Sequence, residues 1–586
     1  MKSPIVSCAM ILTLALGALN AAYADSATWN ATPVDNDWSN PANWTPETVP
    51  NGPTDVATFA GSSVTGLKFS AEMTEVAEIV FNPGANRFKI SADSKLAQTN
   101  VFLTISGAGI TNNSGVTQDL VSGPTLDGEG TGIIEFLNAA TAGNGTAITA
   151  LGSVTDGAFS GSEIHFYDTS TAGSATIVAE GARGRDDAGG GEVFFHDNAT
   201  AANANVTVTN SLALGGGSGE VHFDGFSSAS DAIFNVAGGE VVFAGDSEAA
   251  TAQFVLPGGE VDFFGNSSAA DASFVMDAGL VNFWDDTVTA GNSLFIINGG
   301  VVQFFGGTAG NATLIANTGT NGGHGSISFQ GSNDGGEARI EVVGEGTLDI
   351  GTTGLGFVSV GSIEGDGLIT LGTNELITGA NNLSTTFSGV IEEPGSLAKI
   401  GTGMLTLSGA NTYTRGTVVN EGTLRVANTS GSGTGSRDVE VNAGALAGNG
   451  IIAGSVTVGT GSGTGAFLAP GAGAKQTNRL TIRRALTIKA DGTYSYRVKT
   501  KTTQADQVIA NGVTIESGAQ FSFTQLANKQ LTAGTVFTAI DNISANPITG
   551  TFANLLDGST FTSGRNTYQA DYEGGDGNDL TLTVVP

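Results

Sequence analysis

Residues 238–284 read GGEVVFAGDSEAATAQFVLPGGEVDFFGNSSAADASFVMDAGLVNFW. Phe243, Phe263 and Phe283 recur at intervals of 20 residues, each with a valine two positions earlier (Val241, Val261, Val281). Apolar residues two apart share one face of a β-strand. Eleven residues after Phe243 and Phe263 come Phe254 and Phe274, again two positions after a small apolar residue, Ala252 and Ala272. Gly238-Gly239 and Gly258-Gly259 stand where a tight corner requires a residue free of the Cβ penalty at positive φ. The unit is corner, strand, turn, strand.

The same series continues in both directions. Phe136, Phe166, Phe195 and Phe223 precede it and Phe304 and Phe329 follow, at spacings between 20 and 30 residues. The second-strand series runs Ile177, Val206, Phe234, Phe254, Phe274, Leu294. A unit this short cannot bury its own apolar face, but units stacked in register bury a continuous column. Frequent glycine and β-branched residues, with no 3.6-residue period, argue against helix. The pattern predicts an all-β chain, a right-handed parallel β-helix, its hand set by the chirality of parallel crossovers.

The whole chain is consistent with this. It has 586 residues, 88 of them glycine, and 40% hydrophobic content, enough apolar surface to exclude disorder. Its net charge of −33 and only 22 Lys and Arg exclude nucleic-acid binding, which needs a basic surface. Lys2, the apolar run from Ile5 to Leu19 and Ala22-Tyr23-Ala24 read as a secretory signal peptide, residues 1–24. Its removal takes away Cys8, the single cysteine, and no later run is long and apolar enough for a membrane helix. The expected organisation is signal peptide (1–24), a Trp-rich N-terminal cap with the first coils (25–130), regular coils of about 20–30 residues (131–345), a second repeat region (346–428), and C-terminal coils with a β-rich cap (429–586).

Several outward positions bear on function. Glu163, Glu192, Glu220, Glu240 and Glu260 stand three residues before the phenylalanines and predict a like-charge ladder, read as a solvated edge whose repulsion solvent absorbs, with a low-affinity calcium-type strip as the alternative. Phe264, Trp284 and Phe305 follow the phenylalanines by one and are the candidate ligand-binding residues, since outward aromatic rings stack on sugars or on a partner surface. His165, His196 and His222, with Asp168, Asp197 and Asp224 nearby, suggest a metal group, but the histidines do not share one column. No metal site, cofactor or catalytic residue is assigned. Gly574-Gly-Asp-Gly-Asn-Asp579 is a single partial calcium-nonapeptide match and reads as a turn before the last strand.

Residues 397–426, from Leu397-Ala-Lys-Ile-Gly-Thr-Gly-Met-Leu-Thr-Leu through Asn411, Tyr413 and Gly416 to Gly422-Thr-Leu-Arg-Val, resemble an autotransporter-associated β-strand repeat. Lys399, Gly401, Gly403, Leu405, Leu407, Gly409, Asn411, Tyr413, Gly416 and Gly422 match the pattern; Arg415 departs from it, where glycine is usual. The resemblance implies a secreted or surface-exposed, passenger-like β-helix and supplies no catalytic residues. Residues 429–586 lack the aromatic girdles of a membrane barrel, so no translocator is expected in them. The expectation is a non-enzymatic secreted or cell-surface structural or adhesive protein. Its partners would be extracellular glycans or surface proteins, and its place outside the cell or on its surface, with the periplasm as a further location. The alternatives are an extracellular glycan-binding module and a polysaccharide-degrading β-helix enzyme.

Overall fold

The computed structural model describes residues 26–94, 99–124, 130–158, 161–319, 322–331 and 334–586. The signal-peptide reading of residues 1–24, with Cys8, lies outside them. The described residues form strands and turns, with one 3-10 turn at Pro41–Asn43. None of their helices is long and apolar enough to cross a membrane.

The chain winds as a parallel β-helix. On one side, strands Gly132–Phe136, Glu163–Phe166, Glu192–Phe195, Glu220–Phe223, Glu240–Phe243, Glu260–Phe263, Leu280–Phe283 and Gly300–Phe304 pair in parallel, each with the next. On a second side the ladder runs through Asn144–Ala150, Ser174–Ala179, Asn205–Val208, Ile233–Val236, Gln253–Leu256, Ser273–Met276 and Leu294–Ile297. Between the two, one residue per coil completes a third contact line: Thr171, Thr200, Ser228, Glu248, Ser268, Thr289 and Thr308 bridge in parallel.

Register explains the sequence period. Phe136, Phe166, Phe195, Phe223, Phe243, Phe263, Phe283, Phe304 and Phe329 lie directly over one another, ring centroids 4.7–5.0 Å apart and planes within 11°. That spacing is the strand spacing of a parallel sheet. A second column, Phe234, Phe254, Phe274 and Phe295, stacks at 4.5–4.7 Å. It meets the first column edge-on, with centroids 6.0–6.5 Å apart. Both columns are buried. One expectation is corrected here: Phe295, not Leu294, points inward. Phe274 pairs with Phe295, and Leu294 is 37% exposed. The turn after Phe283 is one residue longer than in the preceding coils, so the inward position falls twelve residues after the phenylalanine instead of eleven, and the strand keeps its register and faces.

The corner glycines are required by close approach. Gly259 has φ +74°, and a Cβ there would lie 2.7 Å from the carbonyl oxygen of Gly239 on the coil before.

Both ends depart from the regular winding. At the N-terminal end Ala27–Trp29 pairs antiparallel with Trp44–Thr45. Trp29, Trp38 and Trp44 are buried with Phe59 and Phe69, and neighbouring rings lie 5.0–6.3 Å apart. Each indole N–H donates to a backbone carbonyl, of Val64, Pro50 and Trp38 respectively. At the other end Val536–Asn542, Asp579–Val585, Asn566–Gly574 and Thr560–Ser563 form an antiparallel run that closes the sheet. The stretch from Gly574 to Asp579 is the hairpin turn of that run.

Candidate functional site

The outward face of the phenylalanine side carries the unusual chemistry. Where Val and Phe point inward, the residue before Val, the one between them and the one after Phe point out. Three parallel files of side chains result.

The first file is the glutamate ladder. Glu163, Glu192, Glu220, Glu240 and Glu260 pair directly, coil to coil. Solvent does not simply absorb their repulsion, because all five are half-buried. Burial first, then Glu220, raises the Glu192 carboxyl above the ordinary range. Burial and Asp262 do the same to Glu260. Glu240 is pushed up to about 7, by burial and then by the hydrogen bond and charge of Asp262. Asp262 is itself buried; its Oδ1 accepts from Asn282 Nδ2 at 2.8 Å and from Trp284 Nε1 at 3.0 Å.

In the file after the phenylalanines the structure brings Phe264, Trp284 and Phe305 together. Their centroids are 6.0 and 4.2 Å apart and their planes within 4°. Trp284 is 39% exposed; the two phenylalanines flanking it are half-buried. Because the rings stack along the helix axis, Trp284 has both faces against a neighbouring ring and Phe264 and Phe305 one face each.

Two to four coils before Phe264 the same face carries histidines. His165 and His222 lie in the middle file with Phe194 between them, stacked at 4.7 and 4.9 Å. His196 lies in the next file, stacked on Tyr167 at 4.5 Å, with its Nε2 3.1 Å from His165 Nδ1. The separation into two files therefore stands, yet the side chains meet laterally. Each imidazole rests on a carboxylate: His165 Nε2 on Glu163 at 2.9 Å, His196 Nδ1 on Asp224 at 2.9 Å, His222 Nε2 on Glu220 at 3.0 Å. Of the aspartates singled out in the sequence, Asp224 alone meets a histidine; Asp168 and Asp197 accept backbone N–H groups of Asn138 and Asp168. Phe194 and Tyr167 were legible only as neighbours of Phe195 and Phe166, the positions on either side of an inward phenylalanine.

These coils are also the long ones. Their extra residues, of which 152–158, 161–162, 181–191 and 210–219 are described, immediately precede Glu163, Glu192 and Glu220. They stack through backbone hydrogen bonds, Arg183 N–H to Ser153 O at 2.8 Å and Leu212 N–H to Ala182 O at 2.9 Å among them. The outcome is a rib beside the glutamate file, with Leu212 and Leu214 more than 80% exposed.

The second repeat has a different logic. The first ladder stops at Val390–Glu392, and Asn411 carries it on. Asn411 Oδ1 accepts the Ile391 N–H at 2.9 Å, and Nδ2 donates to Gly433 O at 2.7 Å on the coil beyond. Gly433 N–H then donates to Ile451 O, in the strand that reopens the side. Lys399 is buried, with Nζ donating to the carbonyls of Gly401 at 2.7 Å and of Ile400 and Glu421; burial lowers it to about 8. Tyr413 is buried and bonds Thr417 Oγ1 at 2.6 Å. Arg415, the departure from the pattern, donates to Thr373 O and lines an open groove of about 430 Å³ with Glu375, Arg437 and Glu440.

The passenger-associated-transport-repeat family model matches residues 397–426. No curated protein matches the chain. Among solved structures, the Haemophilus influenzae Hap adhesin aligns with 92% of this chain at 12% identity and a TM-score of 0.28. The alignment spans 65% of the Hap chain. Leu397 to Val426 thus form a passenger-associated-transport repeat within a parallel β-helix.

Proposed function

We propose that this chain is the exported, non-enzymatic β-helical stem of a surface-displayed protein, with a structural or adhesive role. The carrying observation is that the transport-associated repeat is wound into the same continuous core as the phenylalanine coils. A long rigid rod whose neighbouring coils support one another suits display away from a surface. The acidic central coils support a role without catalysis, since no Lys or Arg occurs between Arg185 and Arg339 to partner the carboxylates. Protease shaving of intact producing cells tests the reading: the chain is expected to be digested without lysis. Full protection until the cells are broken would overturn it.

The glycan-binding alternative needs open ring faces, and stacking closes both faces of Trp284 and one face each of Phe264 and Phe305. Trp29, Trp38 and Trp44 are buried, so Trp284 is the tryptophan that reports on solvent. Glycan titration is expected to leave its fluorescence unchanged. A saturable shift lost in Trp284→Ala would restore that alternative.

A further inference from the structure

We propose that Glu192, Glu220 and His222 form a binding site for a divalent transition ion of the zinc class. Each offers a ligand atom, and these atoms all lie within 4.8 Å of one another. Glu192 and Glu220 stand opposite each other on adjacent strands, and His222 is two residues along the same face from Glu220, its Nε2 3.0 Å from Glu220 Oε2. Phe194 pairs with His222 across the ladder and stacks on its imidazole at 4.9 Å, which fixes the ring against rotation. A tetrahedral zinc with bonds of about 2.0–2.2 Å needs its ligands closer together than this. Binding therefore requires the Glu192 and Glu220 side chains to rotate in toward the ion.

Charge and donor type select the ion. From residue 186 to residue 338 the sequence has 18 Asp and Glu and no Lys or Arg, so no basic side chain of these coils competes with a cation for the carboxylates. An oxygen-only ladder would suit calcium, but the imidazole nitrogen shifts preference toward zinc-like ions. His165 and His196 do not join this site: their ring nitrogens contact each other, and their remaining polar contacts go to Glu163, the Tyr167 hydroxyl and Asp224. The site sits on the coils that carry the rib, where the winding departs from its 20-residue period.

The test uses the full chain without a histidine tag, stripped with chelator and titrated with zinc chloride by calorimetry. One saturable site per chain is expected, with magnesium and calcium failing to compete. His222→Gln and Glu192→Gln are each expected to weaken zinc by about tenfold or more, and His196→Gln to leave it unchanged. Cobalt(II) added to the wild-type chain gives a readout that needs no variant: a d–d absorption band displaced by zinc is expected. Absence of saturable binding or of that band overturns the proposal. So does unchanged affinity in His222→Gln, or an equal loss in His196→Gln, which would place the ion on the His165–His196 pair.

Discussion

The coils around Phe263 and the coils around Asn411 solve one problem in two ways. Both must hold each winding in register with the next. Around Phe263 the sequence repeats nearly residue for residue, so like stacks on like: two phenylalanine columns inside and unbroken strand ladders between them. Around Asn411 the first ladder is interrupted, and leucines replace the phenylalanine column, with Leu405, Leu424 and Leu446 in the corresponding stack. Register there is held by polar side chains that reach adjacent coils, Asn411 to Ile391 and Gly433 and Lys399 to Glu421. Apolar columns tolerate small slips in what lies outside them. Side-chain hydrogen bonds to named backbone atoms do not, because a slip leaves buried groups unsatisfied.

Substitutions that attack each device separately sharpen this contrast. Phe263→Ala removes a ring from the middle of the column and leaves a cavity with partners on both sides; a loss of about 3–5 kcal/mol is expected in denaturant unfolding. An unfolding midpoint equal to wild type would mean the column does not hold the winding. Asn411→Ala leaves the Ile391 N–H and Gly433 C=O without their partner, at about 1–3 kcal/mol for each group that water does not reach. Hydrogen exchange should report it as faster exchange at Ile391, with the phenylalanine coils unaffected. Uniform acceleration along the chain would deny that the two regions hold register independently.

The smallest effect concerns pH. Glu240 is raised to about 7 in the folded chain, above the usual carboxylate value, so the native state holds its proton longer than the unfolded chain does. Its contribution to stability is full below pH 4.5 and is lost as pH rises toward 7. Glu240→Gln is expected to flatten that part of the melting-temperature profile. Parallel pH profiles for variant and wild type would assign the dependence to other carboxylates.

The sequence carried the phenylalanine columns because a strict period converts directly into a stacking register. It carried the second repeat because Lys399, Asn411 and Tyr413 form a recognisable pattern, but not what those residues do. Their roles depend on which backbone atoms lie one winding away. The Leu294 misplacement came from counting through a turn that had gained a residue. The histidine group was visible as three scattered residues; its geometry was not, because Phe194 and Tyr167 looked like ordinary neighbours of core positions. Ser430-Gly-Ser-Gly-Thr-Gly-Ser436 has the composition of a flexible linker, yet Thr434 is fully buried and Gly435 packs where a Cβ would meet Tyr413 O at 2.3 Å. Composition describes what a segment could do alone, not what is wound against it.

The identity of successive coils has one more consequence. Phe243 and Phe263 occupy equivalent places, and so do Phe254 and Phe274. Excising residues 244–263 would join Phe243 to Phe264 and leave every surviving ring above a matching one. The rod can therefore lose or gain whole turns, each changing its reach by about 4.8 Å. Length in this molecule is a quantity that duplication or deletion of a short segment of coding sequence can tune in even steps.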